Sequence, residues 1–439
     1  MVEIAAPPSD ITSDITAEVN AWLEENWDPE LTVREWWELL GTSGWSAPTL
    51  PAEWYGRGAS REEGIRVMQA IGAAGVLGAP GGLGLLLAGP TIGVHGTDEQ
   101  KERYLRDIVT GTKAWCQLFS EPGAGSDLAG LTTSAVRDGD EWVVNGQKVW
   151  TSGAQIADLG MLLARTNPDV PKHQGISYFA FHMNQPGVEV RPLKEMTGRA
   201  MFNEVFLTDV RVRDDDAVGG VNNGWAVANT TLAFERAGLG AGAAGGGAFG
   251  ATPGSKAGAL DRKVSEFVRP RAGGGASRGG FGVSQDLLVR LARDNGTIRD
   301  PTIRQDLMRL HILNEIARFT NLRARALRKV GQEIPGLGNM GKLTMSTILR
   351  LQRDVSMRIV GPAGTLHAYD DDDRAALDAA TGMPDLWAVT ESVLFAQGPS
   401  IYGGTDEIQH NIIGERVLGL PREPSVDRDK PFREIPKNA

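Results

Sequence analysis

Hydrophobic residues recur along this chain with two different periods, and the change of period divides it into three parts. From about Ile11 to Val109 apolar residues recur at spacings of three and four, as in "ITAEVNAWLEEN", which predicts amphipathic helices. In "GTDEQKERYLRDIV" Thr97 is followed three places later by Gln100, a capping-box pattern that marks a helix start. The first part of the chain is therefore predicted to be helical.

From about Trp115 to Val218 the pattern changes to short alternating runs such as "GISYFAFHM" and "GVEVRPL", which predict strands. The "DGD" at 138–140 and Asn145-Gly146 are both typical of hairpin turns. After Gly224 the helical period returns and continues to about Leu420. The chain thus predicts an α+β multi-domain fold, mainly helical, with a block of strands between two helical parts.

The predicted domains are an N-terminal helical domain over 1–114, a central β-domain over 115–221 and a C-terminal helical domain over 222–425. Within the last, residues 238–282 are rich in glycine and low in complexity, which predicts a mobile or irregular loop. Residues 426–439 are predicted to form a polar tail.

Residues 70–95 contain no Asp, Glu, Lys or Arg, and a stretch of that length is sufficient to span a bilayer. However, "GAPGG" at 78–82 and Pro90 interrupt it. We interpret the stretch as two buried helices joined by a break, and we expect no membrane span.

Composition and charge narrow the possible functions. The net charge of −10 argues against nucleic acid as the main partner, because phosphate binding needs a basic face. The single cysteine, Cys116, cannot form an intramolecular disulfide, and the N-terminus lacks a basic region typical of secretion, so we expect a cytoplasmic protein. The six histidines show no metal-ligand spacing, and no metal is expected.

Two motifs in the strand block are candidates for binding a ligand. In "SEPGAGSD" (120–127) small residues allow close approach of a ligand, and their N–H groups with the Ser126 hydroxyl are suited to a pyrophosphate, although a tight surface turn is an equal alternative. In "NGQKVWTSGA" (145–154) Trp150 follows a predicted turn. It either walls a flat aromatic cofactor or packs in a sheet core, and taken alone the motif favours core packing.

The third motif, "IYGGTDEIQHNIIGERVLGLP" (401–421), places two glycines before a helix. Thr405 is suited to cap that helix, and Asp406 and Glu407 suit its dipole. Gly403 and Gly404 leave backbone N–H groups uncovered, able to bind a carbonyl oxygen, but they offer no side chain to move a proton.

In this order and separation the three motifs, with "GWAVANTTLAFERA" (224–237), resemble the acyl-CoA dehydrogenase family of flavoproteins. The resemblance runs from about Gly96 to Pro424. It implies a helical N-terminal domain, a β-domain and a C-terminal four-helix domain. It also implies FAD, an acyl-CoA thioester substrate, α,β-dehydrogenation to the trans-2-enoyl-CoA as in fatty acid or lipid degradation by β-oxidation, and transfer of electrons to an electron-transfer flavoprotein. A homo- or hetero-oligomer, a tetramer or a dimer, is expected.

The resemblance also implies roles for particular residues. Those implied to contact FAD are Leu118, Phe119, Ser120, Gly125, Ser126, Trp150, Ser152, Thr405 and Glu407. Those implied to contact substrate are Ser126, Arg236, Tyr402 and Gly403. Two matches are loose: "RIVGPAG" at 358–364, where Arg358 and Pro362 depart from the commoner residues, and "RGGFG" at 278–282 for the family's Arg-x-x-Phe-Gly.

The catalytic base is the main departure from the family pattern. Many members carry Glu directly after the tyrosine of the glycine loop, where this chain has Gly403. Some branches instead take the Glu from the first helix after the β-domain, and "ER" in that helix identifies Glu235 here. On a helix Glu235 lies about fifty degrees from a stripe formed by Trp225, Ala228 and Leu232, at 100° per residue. A solvated Glu-Arg pair is the alternative.

Moving the base frees the Gly403 side of the cavity, so the resemblance implies a bulky, branched or long acyl chain, possibly linked to a steroid. Two other functions stay open. One is a non-catalytic or half-site partner subunit of a heterotetrameric dehydrogenase, and the other is an acyl-CoA oxidase.

Overall fold

The computed structural model describes residues 14–240, 251–268, 283–328, 330–425 and 427–436. It confirms the predicted succession of a helical part, a strand block and a second helical part. The first helices are α1 Ile15–Asn26, α2 Val33–Thr42, α3 Arg61–Ala74, α4 Gly89–His95 and α5 Asp98–Val109. Thr97 caps α5 with the predicted box, because its hydroxyl accepts from the Gln100 N–H while the Gln100 side chain accepts from the Thr97 N–H.

The uncharged stretch over 70–95 is broken as predicted. α3 ends before Gly75, and a wider helical turn at 84–88 leads into α4. Within the described ranges no helix combines the length and the apolar character that a bilayer crossing requires.

The strand block forms one sheet in which the strands are ordered β1-β4-β2-β3-β7-β6, with β5 added to β4. The strands are β1 Trp115–Leu118, β2 Ser134–Asp138, β3 Glu141–Ser152, β4 Leu159–Arg165, β5 Ile176–His182, β6 Val188–Leu193 and β7 Phe202–Arg213. A single residue pair, Ser134 with Arg165, joins β2 to β4. Apolar side chains on both faces are buried in separate core clusters.

One of the two predicted hairpin turns is wrong. The turn at "DGD" joins β2 to β3, with Gly139 at φ 68°. Asn145-Gly146 lies inside β3, where the register with β7 shifts between Val144 and Gly146. An irregularity of this kind accommodates an extra residue without ending the strand, and the Asn145 side chain donates across it to Asp209 (3.0 Å).

The second helical part begins directly after the sheet. Its helices are α6 Gly224–Gly240, α7 Gln285–Asp294, α8 Pro301–Arg328, α9 Leu337–Val360, α10 Asp371–Thr381, α11 Leu386–Phe395 and α12 Asp406–Ile412. α6 packs on β5 and on the N-terminal helices, and its Val227 and Ala228 are buried in the same cluster as Leu105 and Tyr178. This helix therefore lies where all three parts of the chain meet.

The prediction of a mobile or irregular loop over 238–282 is confirmed for residues 251–268 as to irregular structure, but this segment is packed against the N-terminal helices. Ala259, Leu260 and Val264 are buried in one cluster with Trp36 and Trp37 of α2. The α2 backbone bonds to the same segment, because the Arg34 N–H donates to the Leu260 carbonyl (2.9 Å). The prediction relied on the glycine-rich composition of the whole stretch. It therefore overlooked a few apolar residues that are enough to hold this segment on the N-terminal helices. The predicted Arg-x-x-Phe-Gly match at 278–282 lies outside the described residues.

Candidate active site

The glycine pair adopts a backbone that side chains resist. Gly403 has φ 64° and Gly404 has φ 79°, both in the left-handed region. Gln409 Nε2 donates to the carbonyls of Gly403 (2.9 Å) and Gly404 (3.3 Å), and Asn339 Nδ2 donates to Gln409 Oε1 (2.6 Å). No described residue accepts a hydrogen bond from either glycine N–H. The turn is thus fixed through its carbonyls, with its N–H groups available to a ligand.

Asp406 does more than complement the dipole of α12. Its carboxylate lies 3.0 Å from the buried Lys342 Nζ and 2.8 Å from an Arg350 nitrogen. Burial works against its charge, but Lys342, Ser346 and Arg350 outweigh that effect and hold the pKa of Asp406 below its ordinary value. The start of α12 is therefore tied to α9 by a buried ion pair, which anchors the glycine turn.

Thr405 and Glu407 differ in what the structure shows of them. Thr405 caps α12, its hydroxyl accepting from the Ile408 N–H (3.1 Å). Glu407 is exposed on the first turn of α12. Among the described residues, no hydrogen bond or ion pair connects Glu407 with Glu235 or Trp150. A contact of either residue with FAD stays a prediction.

Glu235 lies one turn after Thr231 on α6, on the side that faces the protein. Thr231 is fully buried; its hydroxyl is 3.0 Å from Thr91 Oγ1 and 3.5 Å from the Tyr178 hydroxyl. The predicted stripe of Trp225, Ala228 and Leu232 is therefore not centred correctly. Because Thr231 finds hydroxyl partners inside, the buried face turns toward it and toward the residue four places on.

The Glu235 carboxylate is enclosed between β1 and the glycine turn. Gln117 Nε2 of β1 donates to it at 3.4 Å, and its charge, together with burial, raises the pKa of the Tyr402 hydroxyl. Burial raises the pKa of Glu235 itself, against the opposing effects of Gln117 and Arg236. A carboxyl group in a low-dielectric site is a stronger base once ionised, which suits proton abstraction. The contact with Gln117 and the nearby Tyr402 argue against the alternative of a solvated Glu-Arg pair.

Arg236 next to it is also partly enclosed. Burial lowers its pKa, with the Glu235 charge acting in the opposite direction and Arg416 in the same one. A Cβ placed on Gly338 of α9 would lie 3.8 Å from the Arg236 Cβ, so the side chain begins close to that helix. Contact of Arg236 with substrate stays a prediction.

The side chains of Leu118 and Phe119 are buried in the protein, and a contact of these two residues with FAD stays a prediction. Leu118 is fully buried in the sheet core, and Phe119 packs edge-on against Tyr178 at 6.0 Å between ring centroids. At the end of β1 both side chains are needed to fill the two faces of the sheet. Ser120 is half-buried, and its carbonyl accepts from the Val149 N–H (2.9 Å). That bond brings the first motif next to the second.

A buried ion pair that the sequence analysis missed connects the same two motifs. Lys148 Nζ lies 2.9 Å from Glu121 Oε1 and donates to the Phe119 carbonyl (3.1 Å). Burial disfavours the charge of Glu121, but Lys148 and donors at Thr132 and Thr133 lower the pKa of Glu121 to about 2. The signal was present, because a lysine at an inward position of a strand needs a buried partner.

Trp150 is not a core residue, and the core-packing interpretation of this motif is wrong. Its side chain is 61% exposed, its φ is 59°, and it contacts the Phe202 ring edge-on at 5.9 Å. Beside it the Thr151 hydroxyl is buried without a hydrogen-bond partner among the described residues. Ser152 is half-buried at the end of β3. A flat hydrophobic face next to an unsatisfied hydroxyl is suited to a ligand with an aromatic ring and polar edges.

Gly125 and Ser126 are exposed and directly follow a turn that is closed by reciprocal backbone bonds between Glu121 and Ala124 (3.0 and 3.1 Å). A Cβ on Gly125 would meet no atom within 4 Å, so the space above it is open. Of the loose match at 358–364, Arg358 binds Thr302 and pairs with Asp306 of α8.

The structure therefore assembles two groups of predicted residues. Glu235 lies near Tyr402 of the glycine turn, with Arg236 next to it in the chain. The Ser120 backbone bonds to Val149 of β3, the strand that also carries Trp150 and Ser152. Gln117 contacts Glu235 and precedes Ser120 on the same stretch of chain, so it lies between the two groups in sequence. Within the described part of the chain, no hydrogen bond joins Ser126 to either group.

Comparisons with known proteins show what the chain is similar to. Family models match at residues 11–112 (acyl-CoA dehydrogenase, N-terminal domain), 116–210 (middle domain) and 272–418 (C-terminal domain). The acyl-CoA dehydrogenase IpdE1 of Mycobacterium tuberculosis is 34% identical over 433 residues, which covers 93% of this chain and 98% of the relative.

Two solved structures are similar over nearly the whole chain. One is the Tcur3481-Tcur3483 steroid ACAD, with a TM-score of 0.66 and 27% identity, covering 95% of this chain and 99% of that chain. The other is the ChsE4-ChsE5 complex from Mycobacterium tuberculosis, with a TM-score of 0.64 and 29% identity, covering 96% and 100%.

Proposed function

The chain belongs to the acyl-CoA dehydrogenase family, and on that premise we propose that Glu235 is the base that removes the α-proton of an acyl-CoA thioester. The observation that carries this proposal is the position of its carboxylate, against Gln117 and beside the glycine turn, with a pKa raised by burial. No side chain on Gly403 competes for the role.

FAD is the cofactor of this family, and the residues on the sheet fit it. The exposed indole of Trp150 offers a face for the ring system, the unpartnered Thr151 hydroxyl lies beside it, and the open turn at Gly125 allows a pyrophosphate to approach the backbone. When bound, FAD supplies the oxidant that accepts the β-hydrogen of the substrate as hydride.

The chain's own groups account for the proton and for the charge that it leaves. Glu235 takes the α-proton, and negative charge then develops on the thioester carbonyl oxygen. The Gly403 N–H, which has no acceptor among the described residues, is suited to donate to that oxygen. Tyr402 and Gln117, which lie next to Glu235, shield its half-buried carboxylate from part of the solvent.

The acyl group in this proposal is bulky, branched or long, and a steroid-linked chain is included. The absent side chain at Gly403 leaves room opposite Glu235, and one similar structure is that of a steroid ACAD. Electrons then pass to an electron-transfer flavoprotein. A panel of short, branched, long and steroid-linked thioesters tests this: best turnover on short straight chains would contradict it.

Glu235→Gln tests the base directly. The variant keeps the shape and the hydrogen bonds but cannot accept the proton, so turnover should fall at least about a hundredfold, about 2.7 kcal/mol of barrier. Flavin reduction is followed anaerobically by bleaching. Glu102→Gln, an exposed residue on α5, is the matched control and should keep wild-type turnover. Wild-type bleaching by E235Q would exclude Glu235 as the base.

A partner-subunit role is the second candidate, and one comparison favours it: the ChsE4-ChsE5 structure is a complex of two named components. In that case the purified chain should be colourless and gain FAD only beside a second chain, whereas an active homo-oligomer is yellow. An acyl-CoA oxidase differs from both in that its reduced flavin reacts with oxygen at the rate of turnover.

A further inference from the structure

The last described segment of the chain, residues 427–436, packs on the central sheet instead of extending from it as a polar tail. Phe432 is buried, with the Arg165 guanidinium 3.6 Å from its ring centroid. The Phe432 N–H donates to the Val170 carbonyl and the Arg433 N–H to the Pro168 carbonyl, both at 3.0 Å. The segment is thus held by its backbone as well as by an aromatic side chain.

Arg165 connects Phe432 to the backbone that follows the "GAGSD" turn. Its guanidinium donates to the carbonyls of Ala129 (2.6 Å) and Leu131 (3.3 Å). Burial lowers the pKa of Arg165 to about 10, so it is still charged at neutral pH. A desolvated guanidinium needs hydrogen-bond acceptors at its edge and is stabilised by an aromatic ring over its face. Here the acceptors are the carbonyls of Ala129 and Leu131, and the ring is that of Phe432.

Lys172 makes a second, independent connection. Its ammonium group lies 2.9 Å from Asp127 and 3.3 Å from Asp427. Asp127 follows Ser126 directly, so this bridge ends at the turn itself. Lys172 also offsets the negative charge of Asp127, which would otherwise repel an anionic ligand at the turn.

We propose that residues 427–436 are a brace that holds the 123–131 turn in the shape that binds a diphosphate, with Phe432 and Lys172 as positioning residues. An exposed turn containing glycine loses much conformational entropy when a ligand orders it, and a brace that orders it beforehand removes that cost from binding. The proposal rests on the proposed function, because it assumes that this turn receives a diphosphate. FAD and coenzyme A both carry one.

Phe432→Ala tests the brace in the holoenzyme, and its readouts are binding constants. The FAD Kd is measured from the fluorescence of released flavin on dilution, and the Kd of free coenzyme A by calorimetry. A rise of about tenfold in the FAD Kd supports the brace and identifies FAD as the source of the diphosphate. The same rise in the coenzyme A Kd alone supports it and identifies coenzyme A.

Matched variants separate a brace from a general loss of folding. Phe432→Tyr keeps the aromatic face and should restore both constants, and Asp429→Asn, an exposed position in the same segment, should leave them unchanged. If F432A does not fold, Asp427→Asn carries the test, with a rise of about threefold expected. Both constants within twofold of wild type in the folded variants would overturn the proposal, even with a lowered Tm. A failure of Glu235 as base is separate, since it alters turnover and not these constants.

Discussion

In the proposed reaction, the contact of Glu235 with Gln117 is the one on which the rate of proton removal depends most directly. The base works only when ionised, so turnover rises with pH through the pKa of Glu235, which burial raises. Gln117→Leu removes a donor that opposes this rise, so the pKa increases further and the acid limb of the pH–rate profile moves to higher pH. Loss of a hydrogen bond to a charged group should raise the pKa enough to make turnover about tenfold slower at acid pH. The rate on the alkaline plateau should not change.

Stopped-flow flavin reduction across pH measures this profile. Gln332→Leu, an exposed glutamine, is the control and should reproduce the wild-type curve. A uniform loss of rate at every pH would mean that Gln117 only supports the fold.

Individual site residues were predictable from the sequence only where a local motif marks them. Glu235 was proposed because "ER" stands in a recognisable helix. The structure then places its carboxylate against Gln117. Gln117 was not identified, because its partner is 118 positions away and strand β1 carries no pattern that reports it. The burial of the Leu118 and Phe119 side chains was not predicted either, because a motif indicates proximity to a site but not the face of the sheet on which each side chain lies.

At the scale of elements, the ion pair between α9 and α12 decides how firmly the glycine turn is held. Lys342 is fully buried and Asp406 nearly so, and removing Lys342 leaves the buried carboxylate with Arg350 as its remaining cationic partner. Lys342→Met should therefore lower the free energy of unfolding by about 3 kcal/mol. Lys342→Met with Asp406→Leu replaces both charges and should recover most of that loss.

Urea denaturation monitored by circular dichroism measures both variants. The pH dependence gives a further check: the pKa of Asp406 is below its ordinary value in the folded protein, so its stabilising effect is present above the unfolded pKa and is lost as pH falls through the folded one. A single and a double variant of equal stability would contradict this account.

The helices and strands were predicted well where apolar residues recur at a regular spacing. The prediction was poorer where it was based on amino-acid composition alone. α1 follows the periodic stretch "ITAEVNAWLEEN" residue for residue. Residues 251–268 have no period, and their burial against Trp36 comes from α2, more than two hundred positions earlier. Low complexity describes a stretch of sequence, whereas burial depends on what another element leaves uncovered.

At the scale of the whole molecule, one face of α8 indicates assembly with another chain. Large apolar side chains on it, each roughly half exposed, recur at three- and four-residue spacing. They are Met308, Ile312, Ile316, Phe319 and Leu322. An apolar stripe of this length on one helix is typical of a protein–protein interface. The stripe is therefore the surface at which the oligomer expected from the sequence is best tested.

Ile316→Lys with Phe319→Lys provides that test, because it places two charges at the centre of the stripe, where an interface would desolvate them. The assembled mass, measured by light scattering, should fall to that of a smaller unit, with the subunit dissociation constant raised at least about a hundredfold. Gln305→Lys adds charge to an exposed polar position of the same helix and should leave the mass unchanged. If the wild-type chain is monomeric alone and assembles only with a homologous chain, the stripe serves a heteromeric contact; an unchanged mass in the double variant would place the interface elsewhere.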